Sequence, residues 1–369
     1  MMKFFSYYKD NSLVNLSNSI LKRYNVKPFH KTIENLDLIL QKHCKIALFL
    51  FDGFGQSISE KHLSEDSFLR KNKFDTISST FPPTTVAATN AFKSGLYPAE
   101  NGWLGWSFLD KGKNRVVEYF THRNYFTKEA VDDFDYSIFN YKSIFELIKE
   151  KNPNLTVVEN YPSVISDGAK NGYNSMDDML DRTAQVLDEN SECLIYSYYL
   201  EPDHALHGLG TNHEKIREIC SEINSRIEKF AEEHPDTLIL VFADHSHLDV
   251  LPLFFEDLHE LKECVTNIYA VEARASTFVI KEGKEEAFLK YYNENLKEHY
   301  DLLTKQEVID NKLFGLTNDN KWLEALLGDY FLIAIGTYSF ENFKFNPMIA
   351  THAGGTKEEN LINLYVINK

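Results

Sequence analysis

Cysteine is scarce in this chain. Its 369 residues include four, Cys44, Cys193, Cys220 and Cys264, far apart and with no CxxC pair, which excludes a disulfide-stapled secreted scaffold and predicts reduced packing residues. Long apolar runs are missing too. The N-terminal MMKFFSYYKDNSLVNLSNSILKRY is broken by polar residues throughout, so it does not read as a signal peptide, and no later segment approaches the run of about 20 residues that a membrane span needs. These absences predict a cytoplasmic, soluble protein with no membrane partner. Nor is there an excess of positive charge. With 39 Lys+Arg against 55 Asp+Glu the net charge is −16, which argues against a nucleic-acid polymer or an anionic surface as partner and requires something locally positive for any anionic substrate. Repeats, low-complexity tracts and Pro/Gly/Ser-rich linkers are absent, so nothing marks a domain boundary, and residues 1–369 read as one domain.

What is present is a globular composition, 43% hydrophobic and 14% aromatic, which excludes a disordered tail or a fibre. Short apolar runs recur: Ile46 to Phe51, Thr156 to Val158, Cys193 to Tyr199, Thr237 to Phe242, Thr277 to Ile280, Tyr330 to Ile335 and Leu361 to Ile367. Separated by helical patterns, they predict a buried, largely parallel sheet. Ile216, Ile219, Cys220, Ile223, Ile227 and Phe230 repeat at helical spacing, with Thr211 and Glu214 as a capping-box signature upstream, and Lys284 to Tyr300 reads as a second helix. Two stretches lack this rhythm, the aromatic Gly102 to Asp135 and the irregular Leu248 to Arg274. Either fits an inserted cap.

In an open parallel sheet, ligand groups lie just beyond the carboxyl ends of the strands. Asp52 follows the first run, EPDHALHG with Asp203 and His207 follows the third, ADHSH with Asp244 and His245 follows the fourth, and THAGG with His352 precedes the last. Carboxylates and imidazoles of this kind suit Zn²⁺, with Mn²⁺ or Fe as weaker fits, and six such donors are more than one four-coordinate ion takes. Two ions are the natural inference. The remaining piece is FPPTTVAATNAFKSGLYP, where Thr84 and Thr85 stand at the start of a short helix over Val86 to Lys93 that Gly95 ends. A hydroxyl there serves equally as an N-cap or as a nucleophile favoured by the helix N-terminus.

Taken together, LFLFDGFG, TTVAATNAFKSGLYPAENG, DHALHGLG, ADHSH and THAGGTKEE, in that order, resemble the alkaline phosphatase superfamily, and within it the type I phosphodiesterase/nucleotide pyrophosphatase family. The resemblance implies a three-layer α/β/α sandwich with a largely parallel central sheet and a small cap insertion at about 103–135. It implies that Asp203, His207 and His352 hold one zinc and that Asp52, Asp244 and His245 hold the other. Counting back from Gly95 to the family's nucleophile lands on Thr85, whose oxygen would also face the metal, with Thr84 as the alternative. His204 and His247 match no ligand position and read as supporting or incidental.

The reaction so implied is hydrolysis of a small-molecule phosphodiester or pyrophosphate, a nucleotide among the candidates, through a phospho-threonine intermediate. The residue after Thr85 is Val86 where the superfamily's monoesterases carry an arginine, and the nearest basic residue on that side is Lys93, which favours a diester. Trp103, Trp106, Tyr125 and Phe126 offer apolar surface for its second substituent. One position departs from the family: Trp106 stands where an asparagine usually contacts the phosphoryl oxygen, leaving Asn101 or the backbone N–H of Thr85 or Val86 as substitutes. Two other readings stay open, a phosphomonoesterase, phosphonate or sulfate ester hydrolase or phosphomutase on the same site, and a metal-binding relative without turnover.

Overall fold

The computed structural model describes residues 3–4, 8, 11–165, 172–266, 270–342, 344–345 and 347–369; parts of the N-terminal segment and of the irregular stretch before Arg274 lie outside them. Six strands form the central sheet, in the order Lys73–Ser78, Leu361–Ile367, Thr237–Phe242, Lys45–Phe51, Cys193–Tyr199, Thr156–Asn160. Its last four members run parallel. Leu361–Ile367 is antiparallel to both of its neighbours, so the sheet is mixed.

Alternation along the strands explains the two helical layers, because successive side chains point to opposite faces. On one face Tyr196 and Phe242 meet Phe92 of the Thr85–Ser94 helix at ring-centroid distances of 5.6 and 4.9 Å. That helix packs with Leu13–Arg23 and Ile144–Lys151. On the other face Phe49 meets Phe230 of the Glu214–Glu233 helix at 5.5 Å, and the same side carries Met176–Glu189, whose Thr183 touches Ser197. All strand residues from Ile46 to Phe51 are buried. Among the described residues, no helix is long and apolar enough to cross a membrane.

Several expectations need correction. The runs around Thr277 and Tyr330 are strands, Ala275–Phe278 and Tyr330–Ala334, but they belong to a second sheet, antiparallel, with Ala270–Val271 and Tyr300–Thr304. The helix expected over 284–300 is Glu285–Tyr291, continued by a wider turn over Tyr292–Leu296, and Tyr300 already opens a strand. The Glu214–Glu233 helix is capped by the His213 side chain, which accepts from the Lys215 N–H; the Thr211 hydroxyl instead accepts from Lys61. The aromatic stretch forms a hairpin, Ser107–Asp110 with Arg115–Glu118, backed by a cluster in which Trp103 stacks on Tyr119 at 5.0 Å.

The two sheets are joined by a buried ion pair. Arg274, just before the Ala275–Phe278 strand of the second sheet, gives Nε to Glu359 at 2.7 Å and further N–H groups to the carbonyls of Gly336 and Tyr338. Glu359 also accepts from the Gly354 N–H and the Thr356 hydroxyl, both in the loop after His352. Both partners are fully buried. Removing one strands the other's charge, so Arg274→Met is expected to lower unfolding free energy by about 3–5 kcal/mol, read as a shift of the urea midpoint at constant slope. Replacing both partners by apolar residues should cost less.

Candidate active site

Asp52, Asp244 and His245 sit on loops just beyond strands of the central sheet, Asp203 and His207 on the short helix Asp203–Leu209 that follows another, and His352 on the loop between Ala350–Thr351 and the last strand. The Asp52 N–H continues the parallel ladder by donating to the Tyr199 carbonyl at 2.9 Å, and the Asp203 N–H donates to the Asp52 carbonyl at 3.0 Å. Gly53 turns the first loop at φ 70°, where a side chain would be strained, and a Cβ there would lie 3.0 Å from Asp203 Cα. Gly55 leaves even less room: a Cβ would lie 2.3 Å from Ser246 Cβ. Two loops from distant parts of the chain therefore close on each other without side chains between them.

The donors converge in two groups. Asp203, His207, His247 and His352 present ligand atoms within 4.8 Å of one another, and so do Asp52, Asp203 and His245. Asp244 lies beside the second group, with Oδ2 3.6 Å from His245 Nε2. All six predicted residues are thus brought together, and Asp203 belongs to both groups. His207 lies one helical turn after Asp203, its Nδ1 against the Ala350 carbonyl at 3.0 Å and its Nε2 toward Asp203 at 3.4 Å. His245 uses Nδ1 on the Ser246 carbonyl at 3.2 Å and turns Nε2 inward. Second-sphere bonds of this sort fix which nitrogen faces a metal.

Among the described residues no lysine or arginine pairs with these carboxylates; burial works against a charge on His207, but Asp203 outweighs it and pushes that imidazole up to about 9. Burial, then the neighbouring Asp203, pushes the Asp52 carboxyl well above the carboxylate range. Asp244 is pushed up in the same way, by burial and by Asp52. Burial also drives His352 well below its usual value and His247 down to about 4. Asp203 goes the other way: burial opposes its charge, but His207 and His247 outweigh it. Asp244 Oδ2, His247 Nδ1 and His352 Nδ1 are buried with no hydrogen-bond partner among the described residues. Crowded carboxylates, imidazoles and unpaired buried atoms are the donor set that divalent cations satisfy.

Thr85 is the first residue of its helix, and Thr84 is the N-cap without a side-chain cap bond. The Thr84 hydroxyl instead donates to Glu272 Oε1 at 2.7 Å. The Thr85 hydroxyl points into the cluster, 3.1 Å from His245 Nε2 and 3.4 Å from each Asp52 oxygen. The structure therefore separates the two threonines. A cavity of about 280 Å³ opens over Thr85, lined among others by Trp106, Tyr125, Asp203, His207, Glu272 and His352. Trp103 lies in the aromatic cluster with Tyr119 and Phe139, outside that lining. Asn101 does not reach it either, since its amide donates to Ser94 and its oxygen accepts from the Trp103 N–H. His204 is exposed and lines a separate depression.

The sequence reads His247 as supporting or incidental, and two other residues of this neighbourhood, Tyr198 and Glu272, escape that reading. His247 gives Nε2 to Asp203 at 2.6 Å; it carried the same signal as His245 two positions earlier. Tyr198 donates to Asp52 Oδ2 from within an apolar strand, where nothing marks it. Glu272 arrives from the irregular stretch.

The family model for type I phosphodiesterase/nucleotide pyrophosphatase matches residues 46–321. The chain belongs to that family. It is accordingly a phosphoester hydrolase of alkaline-phosphatase-like fold. Murine ectonucleotide pyrophosphatase/phosphodiesterase 5 superposes with a TM-score of 0.62 at 16% identity, over 87% of each chain. An inactive threonine-to-alanine form of that protein, solved with AMP, superposes with 0.61 at 15% identity over 87% of each chain. Phosphonoacetate hydrolase from Sinorhizobium meliloti, solved with phosphonoformate, gives 0.62 at 12% identity over 89% of this chain and 90% of that one. No curated protein matches by sequence.

Proposed function

We propose that this chain is a two-cation phosphodiesterase or nucleotide pyrophosphatase in which Thr85 is the nucleophile, formed as one catalytic domain with residues 103–135 as its cap. The carrying observation is the Thr85 hydroxyl, 3.1 Å from His245 Nε2 and beside Asp52 at the mouth of the cavity. Asp203, His207 and His352, joined by His247, would hold one cation, and Asp52, Asp244, His245 and the Thr85 oxygen the other. Zinc fits this oxygen and imidazole set best, with manganese next. When bound, the cations supply positive charge that favours an alkoxide and stabilises phosphoryl oxygens.

The chain's own groups supply the rest. Thr85 Oγ1 attacks phosphorus as its proton leaves, the bond to the leaving alcohol breaks, and water later cleaves the phospho-threonine. The N–H groups of Thr85 and Val86, in the first turn, have no intrahelical acceptor and face the anion at a helix N-terminus. They take the place of the amide absent at Trp106. The AMP complex of the murine neighbour supports a small phosphate ester as ligand, and the free cysteines fit a reducing compartment such as the cytoplasm.

Among the described residues no lysine or arginine lines the cavity, so the extra charge of a monoester, or of a phosphonate with a carboxylate, finds no side-chain partner there. Zinc-loaded protein is expected to hydrolyse bis(p-nitrophenyl) phosphate with kcat/KM about 100-fold above p-nitrophenyl phosphate, the equivalent of one or two charge-assisted hydrogen bonds. A preference for the monoester sinks the diester reading, and no turnover of either ester by metal-replete protein replaces it with a binding protein.

A further inference from the structure

One wall of the cavity carries a carboxylate that the proposed reaction does not use. Glu272 lies between Ala270–Val271 and Ala275–Phe278 of the second sheet, 188 positions from its partner Thr84. Its Oε1 accepts twice, from the Thr84 hydroxyl and from the Trp106 N–H, each at 2.7 Å. Its Oε2 has no hydrogen-bond partner among the described residues, and no cation pairs with it.

This arrangement sets the polarity of the wall. Two donors on this wall, the Thr84 hydroxyl and the Trp106 N–H, are both turned onto Glu272 and are lost to substrate. What the wall offers outward is an acceptor, beside the aromatic surfaces of Trp106 and Tyr125 and the thioether of Met348. Burial pushes the Glu272 carboxyl up to about 7, against the two hydrogen bonds that lower it. A donor on the substrate favours the ionised form and gains a charge-assisted bond; an anion beside it forces the carboxyl to keep its proton or suffer repulsion.

Resting on the phosphodiesterase reading above, we propose that Glu272 determines specificity, selecting esters whose substituent on phosphorus carries hydroxyl or amino donors and rejecting those that bear a second anionic group. Its role is recognition of the substituent, with no part in bond making or breaking. The phosphonate-carboxylate class bound by the S. meliloti neighbour then falls outside the range of this chain.

The test uses the zinc-loaded full chain carrying Thr85→Ala, so that binding is read without turnover, and two symmetric diesters, bis(2-hydroxyethyl) phosphate and bis(carboxymethyl) phosphate, at pH 8. Symmetry removes any question of which substituent meets the wall. The expected result is a Kd at least about tenfold lower for the hydroxyethyl ester, a gap that Glu272→Gln closes because glutamine keeps an oxygen for Thr84 and Trp106 but carries no charge. Equal affinities, a gap that survives Glu272→Gln, or no binding of either ester overturns the proposal. Hydrolysis of bis(p-nitrophenyl) phosphate by the wild-type chain decides the underlying reading separately, so the two can fail independently.

Discussion

Replacing Thr85 by alanine is expected to lower kcat/KM toward bis(p-nitrophenyl) phosphate by about 10³-fold or more, the scale at which losing a nucleophile is felt in enzymes with covalent intermediates. The expectation rests on position. Its hydroxyl is the one that the Thr85–Ser94 helix aims at Asp52 and His245, and alanine leaves the helix start intact. The melting temperature should therefore stay within a few degrees of wild type, which distinguishes lost chemistry from lost fold. Thr84→Val is the matched control. Its hydroxyl is committed to Glu272, so the loss should be about tenfold or less, and Thr85→Ser should recover part of the rate. If Thr84→Val proves the more damaging of the pair, the nucleophile has been misassigned.

Chelation is expected to have the second large effect. Asp52, Asp203 and Asp244 crowd one buried pocket with four imidazoles, two ring pairs of which lie 3.9 and 4.9 Å apart between centroids. Dialysis against a chelator should abolish hydrolysis and lower the melting temperature by several degrees. Zinc or manganese should restore both, because an ion at 1,000 times its Kd adds about 4 kcal/mol to folding. Thr85→Ala should show the same metal-dependent rise without activity, and Asp203→Asn should show little of it, since Asp203 serves both groups. A melting curve indifferent to every divalent cation would leave the cluster without its explanation.

The candidate site was more legible in the sequence than the fold around it. Asp52 follows an apolar run directly and Asp244 and Asp203 follow theirs within a few residues, and a strand's end is where a parallel sheet exposes its ligands, so position along the chain reported position in space. Strand direction left no such mark. Leu361–Ile367 reads as another buried strand, yet it runs antiparallel, and the neighbouring Lys73–Ser78 was missed because KFDTIS buries only its last two residues. The Thr277 and Tyr330 runs look alike in composition to central strands and pair elsewhere. Glu272 had no signal at all, because its role depends on two folded segments meeting.

The place of Leu361–Ile367, wedged between Lys73–Ser78 and Thr237–Phe242, bears on how the molecule comes into being. A ribosome delivers the chain from one end, and strands made early must wait for a neighbour made hundreds of residues later. Until it emerges, two strand edges stay open and the loop bearing His352 lacks the strand that anchors it. The nascent protein is thus a candidate for chaperone escort, and the cluster of carboxylates and imidazoles stays incomplete until His352 and the strand after it have been made.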